Sequence, residues 1–139
     1  MKELMEKLKS VVVDLEKEHG SILVFALFLR EESLGGWDIV ISATWLKFDD
    51  LNSYKVVASK VQEKLSKQEQ LEIARVELLD PHDPVVSFLR ESSPVQNGGK
   101  EIQNCETFSQ KFKFAIKRAY VIRCRKIPED GGKELSPSS

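Results

Sequence analysis

The chain is 139 residues long, a length that suits one domain. Hydrophobic residues make up 41% and charged residues 31% of it, which is enough for a folded core and excludes a wholly disordered chain or a disulfide-framed miniprotein. The 21 basic and 22 acidic residues leave a net charge of -1, and this balance gives no general attraction to nucleic acid or to an anionic membrane.

The sequence is not expected to carry a targeting signal. The N-terminus alternates in charge instead of placing a basic stretch before a long apolar one. The longest apolar run, Ile22–Leu29, falls well short of the roughly 20 residues that cross a bilayer. Cys105 and Cys124 match no metal-binding or redox spacing. We therefore expect a cytoplasmic protein that does not bind membranes.

Apolar periodicity predicts a helix and two strands in the first third of the chain. Apolar residues recur at helical spacing over Lys2–His19, and Gly20 stands where a helix commonly ends. Ile22–Leu29 is continuously apolar, as in a strand that is buried on both faces. Trp37–Leu46 predicts a second strand, and the short link between the two favours an antiparallel pair.

The middle of the chain predicts a helix, a strand and a second, shorter helix. Asp49 or Asp50 is a suitable N-cap for the first of these helices. Its expected buried stripe consists of Leu51, Tyr54, Ala58, Val61 and Leu65. Leu71–Leu79 follows as a third strand. Asp83 can cap a short helix over Val85–Glu91, with Pro84 as its first residue.

The last third predicts a loop, a helix, a strand and a polar tail. Ser92–Asn104 contains turn residues, Glu106–Arg118 has apolar residues at helical spacing, and Tyr120–Cys124 suits a short strand. The resulting order is α-β-β-α-β-α-α-β. It predicts one α/β (α+β) domain over residues 1–127, built on a single mixed sheet of about four strands, and a disordered polar tail over residues 128–139.

Acidic residues near the ends of the predicted strands suggest a cation site. If the second and third strands are neighbours, Asp38, Glu77 and Asp80 can meet at one edge and hold a hard divalent cation such as Mg²⁺. The simpler interpretation is that Asp38 ends a turn, Glu77 faces solvent, and Asp80 and Asp83 serve as turn and cap residues. This structural interpretation is favoured.

Three other features have both a functional and a structural interpretation. His82 lies between two carboxylates, an arrangement that suits a metal or a general base, although a capping loop is favoured. Gly35 and Gly36 can cradle a phosphate or simply form a turn. The segment from Lys111 to Lys126 is basic with interleaved aromatic residues, but those aromatics are better explained as core, so nucleic acid is not an expected partner.

Four stretches resemble the minimal nucleotidyltransferase domains of the DNA polymerase β-like superfamily. Phe25–Phe28 resembles the first strand of that family, and Trp37–Ile41 resembles the strand that holds its Asp-x-Asp pair. Arg75–Asp80 resembles the strand with the third carboxylate, and Phe114–Ile122 is similar to the terminal helix and strand. The resemblance covers roughly residues 1–126 in topology.

The resemblance implies a site at the edge formed by Asp38, Glu77 and Asp80, with Gly35 and Gly36 approaching a phosphate. If the domain is an active enzyme, Asp38 and Glu77 would hold Mg²⁺ and Arg30 would offset phosphate charge. The sequence departs from the family at two positions. Leu29-Arg30 replaces the small Gly-Ser pair, and Val40 stands where the second carboxylate belongs. We therefore expect a non-catalytic nucleotidyltransferase-like domain that binds a nucleotide or a protein partner, a second copy included. The alternatives are an active, divergent nucleotidyltransferase and an interaction module unrelated to nucleotides.

Overall fold

The computed structural model describes residues 2–31, 35–95, 99–102 and 115–126. Its helices and strands are, in chain order, α1 (Lys2–His19), β1 (Val24–Arg30), β2 (Trp37–Ser42), α2 (Leu51–Lys64), α3 (Lys67–Gln70), β3 (Ile73–Leu78), α4 (Pro84–Ser92), β4 (Lys100–Glu101) and β5 (Ile116–Cys124). Within this part of the chain, no helix is long and apolar enough to cross a bilayer.

The described strands form one mixed sheet in the order β3-β2-β1-β5-β4. β1 pairs antiparallel with β2 and with β5, whereas β2 and β3 run parallel, joined by the α2 crossover. The predicted single mixed sheet and the antiparallel β1–β2 pair are therefore confirmed. The sheet has five strands instead of about four because the short β4, inside the predicted loop, pairs with β5.

Both faces of the sheet are covered, which explains the continuous apolar run of β1. On one face Phe25 and Leu27 pack in a core that includes α1 and α2. On the other face Ala26 and Phe28 pack in a second core with residues of α4. All four side chains are fully buried, so a strand at the centre of this sheet has no solvent-facing positions to fill with polar residues.

The end of α1 is fixed by local and long-range contacts. Gly20 has a φ of 125°, and its amide donates a hydrogen bond to the carbonyl of Glu16, as expected for a glycine just beyond a helix. The Glu16 carboxylate accepts a hydrogen bond from the Ile22 amide and contacts the guanidinium groups of Arg123 and Arg125 at 3.2 Å and 2.8 Å. This cluster ties α1 to the start of β1 and to the end of β5.

Two sequence predictions about helices are wrong in part. The predicted helix Glu106–Arg118 ends in strand geometry, because residues 116–118 belong to β5 and pair with β1. Its earlier residues, 106–114, and the predicted tail, 128–139, lie outside the described residues. In α2 the buried positions include Val57 and Val61, while Leu51 and Tyr54 are exposed although they were expected to be buried.

Candidate functional site

Asp38 lies at the start of β2 and is almost completely buried, with 2% of its surface exposed. Its two carboxylate oxygens face arginine side chains from the neighbouring strands. Oδ2 is 3.1 Å from Nε of Arg30 at the end of β1, and Oδ1 is 3.6 Å from Nε of Arg75 in β3. The charge of Asp38 is thus compensated within the sheet by two residues on adjacent strands.

The protonation of Asp38 reflects opposing influences. Burial raises the pKa of its carboxyl group above the usual value, because a buried carboxylate loses hydration. The positive charges of Arg30 and Arg75 act in the opposite direction and hold this rise of the pKa in check. Asp38 is therefore a buried ion-pair residue that depends on its arginine partners.

The predicted carboxylates are spread along the strands instead of meeting at one edge. Asp38 lies opposite Arg75, and Glu77 lies opposite Val40, further along the parallel pair. Asp80 follows the end of β3, five residues beyond Arg75, which corresponds to about 15 Å along an extended strand. Among the described residues, no group of three His, Cys, Asp or Glu side chains is arranged to hold a metal ion.

Of the glycine pair before β2, Gly36 lies close to the neighbouring strand β3. Gly35 and Gly36 have φ values of 143° and 120°, which favour glycine. A Cβ atom on Gly36 would lie 3.0 Å from the backbone nitrogen of Ala74 in β3, so a side chain there would press against the neighbouring strand. This close approach accounts for Gly36 without a phosphate ligand.

Asp80, His82 and Asp83 lie beyond the carboxyl end of β3. Asp80 Oδ1 accepts a hydrogen bond from the His82 amide at 2.7 Å, and Asp83 Oδ1 accepts one from the Val85 amide at 2.8 Å. Asp83 is the N-cap of α4, and Pro84 is the first residue of that helix, as the sequence predicts. The carboxylates of this cluster are therefore engaged in turn and cap contacts, which the capping interpretation explains.

A crevice of about 350 Å³ lies between this turn and the loop that follows β2. It contains Asp80 and His82 on one side and Lys47, Phe48 and Asp49 on the other. Its position beyond the carboxyl ends of two parallel strands is where α/β sheets commonly bind ligands. The charged groups in it are of both signs, so they favour no single class of ligand.

The outer side of β3, called here the β3 edge, faces away from β2. The Leu79 amide donates a hydrogen bond to the carbonyl of Ile41 in β2 at 2.8 Å. In a strand the backbone N–H and C=O groups of every second residue point to the same side, so those of Glu77 and Arg75 also point towards β2. The backbone groups of Val76 and of Leu78 consequently point outward. Among the strands that the structure describes, none pairs with this edge.

A groove of about 170 Å³ runs beside the β3 edge, between β3 and α2. We call it the α2–β3 groove. It is lined by Tyr54, Ala58, Val61 and Gln62 of α2, by Gln70 of α3, and by Ile73, Ala74, Arg75 and Val76 of β3. Tyr54 is 41% exposed. The strand edge thus lies beside a groove that both apolar and polar side chains line.

Sequence reasoning missed this surface because it assigned the apolar residues of α2 to the core. Leu51, Tyr54 and Ala58 fall on one helical stripe, but Val57 and Val61 provide the contact with α1 and the sheet. Apolar residues therefore cover more of α2 than one buried face requires. This excess was the available signal, and it is typical of a helix that also lines a binding surface.

We compared the chain with protein-family models, curated proteins and solved structures, and none of them matches it.

Proposed function

We propose that this chain is a non-catalytic interaction domain that binds an extended strand of a partner protein along the β3 edge. The observation that carries the proposal is the edge of β3, which pairs with no other described strand and lies beside the α2–β3 groove. Exposed strand edges are templates for a further strand, and grooves beside them accept alternate side chains of that strand. In this proposal the domain that the sequence resembles, a nucleotidyltransferase, serves as a scaffold without transfer chemistry.

The environment of Asp38 supports the non-catalytic part of the proposal. A transfer reaction with two metal ions needs carboxylates that are free to hold cations. Both oxygens of Asp38 face guanidinium groups, and the position where the family carries a second carboxylate is Val40, which is fully buried. A metal ion at Asp38 would have to displace Arg30, leaving that largely buried guanidinium without its carboxylate.

We expect no metal-dependent transfer from a nucleoside triphosphate to this protein, to RNA or to a partner. The measurement is incorporation of labelled nucleotide in the presence of Mg²⁺ or Mn²⁺. Incorporation that is abolished by Asp38→Asn in a protein of unchanged circular dichroism would contradict the non-catalytic proposal and establish the enzyme alternative.

The charges of β3 define the strand that the edge accepts. Arg75 is exposed, and Glu77 is half-buried and makes no ion pair or side-chain hydrogen bond with another described residue. An antiparallel partner strand therefore needs an acidic residue opposite Arg75 and a basic residue opposite Glu77. Opposite Val76, on the face towards α2, it needs an apolar residue, because Val76 itself packs against the core of that face.

A short capped peptide with the pattern Val-Lys-Val-Glu-Val tests this surface. In antiparallel pairing its lysine lies opposite Glu77 and its glutamate opposite Arg75. We expect amide chemical-shift changes at Arg75, Val76 and Glu77, and at Tyr54 in the groove, as the labelled protein is titrated with the peptide.

The matched control is the same composition with the charges exchanged, Val-Glu-Val-Lys-Val, which places like charges opposite each other and is expected to bind more weakly. Equal binding of the two peptides would show non-specific apolar contact and would contradict the proposed recognition. Shifts confined to residues outside β3 and α2 would place the binding surface elsewhere and contradict it as well.

A further inference from the structure

We infer that the strand bound at the β3 edge is the β3 strand of a second copy of this chain, so that two copies share one continuous sheet. This inference rests on the proposed function and names its partner. The sequence of β3 from Ala74 to Leu78 is Ala-Arg-Val-Glu-Leu. It has the same order of apolar, basic, apolar, acidic and apolar residues that the edge requires of an antiparallel partner.

The register follows from a two-fold axis at Val76. Each Val76 then lies opposite the Val76 of the other copy, and each Arg75 lies opposite a Glu77. Because the Val76 backbone points outward, the two Val76 residues exchange both backbone hydrogen bonds. The Arg75 and Glu77 side chains then form two symmetric pairs at the closer, non-hydrogen-bonded positions, where side chains interact best.

The same axis also sets the positions of the two α2 helices. A two-fold axis perpendicular to the sheet keeps each face on its own side, so the two α2 helices lie on the same face of the joined sheet. The exposed Tyr54 side chains and the two α2–β3 grooves then approach the junction. Pairing therefore covers the exposed Tyr54 rings in addition to satisfying the outward backbone groups of β3, and it places a positive charge opposite the half-buried Glu77.

The first test is the mass of the protein in solution, measured by light scattering across a range of micromolar concentrations. We expect the wild type to reach twice the mass of the chain and Glu77→Lys to remain monomeric, because the new lysine faces Arg75 of the other copy. Glu91→Lys, which makes the same change at an exposed position of α4, is the control and is expected to dimerise like the wild type. A monomeric wild type would overturn the inference.

The second test fixes the register by cross-linking. Val76→Cys in a Cys105→Ser background places one new thiol on the two-fold axis, where two Cα atoms about 5.5 Å apart are within disulfide range. Cys124 is fully buried and its pKa is raised to about 12 by burial, so it does not compete. We expect a covalent dimer under oxidation. Ala74→Cys, opposite Leu78 in this register, is expected to give none.

Mixing experiments separate charge complementarity from a general loss of folding. Arg75→Glu and Glu77→Lys each place like charges across the junction in a homodimer, but together they restore opposite charges in a mixed dimer. We expect the mixture to dimerise when the variants alone do not, with circular dichroism confirming that each is folded. If Arg75→Glu does not fold beside Asp38, the Glu77→Lys and Val76→Cys results decide.

The outcomes also distinguish this inference from the proposed function. A monomeric wild type that binds the Val-Lys-Val-Glu-Val peptide at β3 leaves the proposed function standing and overturns self-pairing. A dimer that persists in Glu77→Lys and gives no cross-link through Cys at position 76 uses another surface, and overturns this inference. A monomer that does not bind the peptide contradicts both.

Discussion

Replacing Phe25 by alanine is expected to lower the free energy of unfolding by about 3–5 kcal/mol. Phe25 is fully buried in β1, opposite Ile41 of β2, and its ring belongs to the core shared by the sheet, α1 and α2. The lost stability has two parts: the free energy of burying the aromatic ring, and the cost of the cavity that remains. The cavity does not close because the surrounding side chains are fixed by the sheet and two helices. Chemical denaturation with guanidinium measures it.

Phe48→Ala provides the matched control for this substitution. Phe48 is 58% exposed in the loop after β2, so the same truncation there is expected to change stability by no more than about 0.5 kcal/mol. A comparable loss at the two positions would contradict the central placement of β1 in the sheet. Both variants are measured at the same low protein concentration, so that the proposed pairing of two chains does not contribute to the difference in stability.

Local sequence signals predicted most of the helices and strands that precede β4 in the chain. The end of α1 follows from Gly20, and the starts of two helices follow from Asp50 and Asp83, whose side chains accept hydrogen bonds from the first turns. Each of these features depends on residues within a few positions of one another. Such contacts can be recognised in a sequence because they use the same backbone groups in every protein.

Long-range pairing set the parts that the sequence did not predict. The pattern of apolar residues over Glu106–Arg118 fits a helix, but Ile116 pairs with Arg30 and the segment from it onward is the long strand β5. β4 forms only because β5 offers it an edge, across a separation that no local pattern reports. Apolar periodicity in a short window does not distinguish a helix from a strand of a two-sided sheet.

The sequence identified Asp38 as a candidate site residue but assigned it to a cation instead of to an ion pair with two arginines. The sequence placed Asp38 in the second strand and Arg75 in the third, and these strands are neighbours, which was the condition for the predicted cation site. The role of Asp38 depends on the pairing register, which includes an irregularity between Trp37 and Asp38 and sets Arg75 beside it. A change of one residue in that register would turn Arg75 to the other face. The sequence alone does not fix this detail.

Replacing Arg30 by methionine is expected to destabilise the protein by about 3–5 kcal/mol at neutral pH. Both partners of the Arg30–Asp38 pair are largely buried, so removing the guanidinium leaves the more distant Arg75 as the basic partner of Asp38 among the described residues. Arg75→Met is the matched control. Because Arg75 is 47% exposed and lies 3.6 Å from the carboxylate, its loss is expected to cost no more than about 1 kcal/mol.

The destabilisation by Arg30→Met is expected to depend on pH, with a sign set by Asp38. Burial already holds the pKa of folded Asp38 above its usual value. Of the two positive charges that oppose this rise, Arg30 has the larger effect, so its removal lets the pKa rise further. The folded state then keeps its proton to higher pH than the unfolded chain, so stability falls as the pH rises from the unfolded pKa to the folded one. Below both pKa values the carboxyl is neutral in both states, and this cost is absent.

Unfolding free energies measured across the acidic and neutral range therefore test the charge of Asp38 itself. The difference between the wild type and Arg30→Met should be smallest in acid and should grow towards neutral pH. Adding Asp38→Asn to the Arg30→Met variant removes the buried charge, so it is expected to recover part of the lost stability at neutral pH and to flatten the difference. A difference that stays constant with pH, and a double variant no more stable than Arg30→Met, would mean that Arg30 stabilises the sheet by packing of its stem instead of by pairing with Asp38.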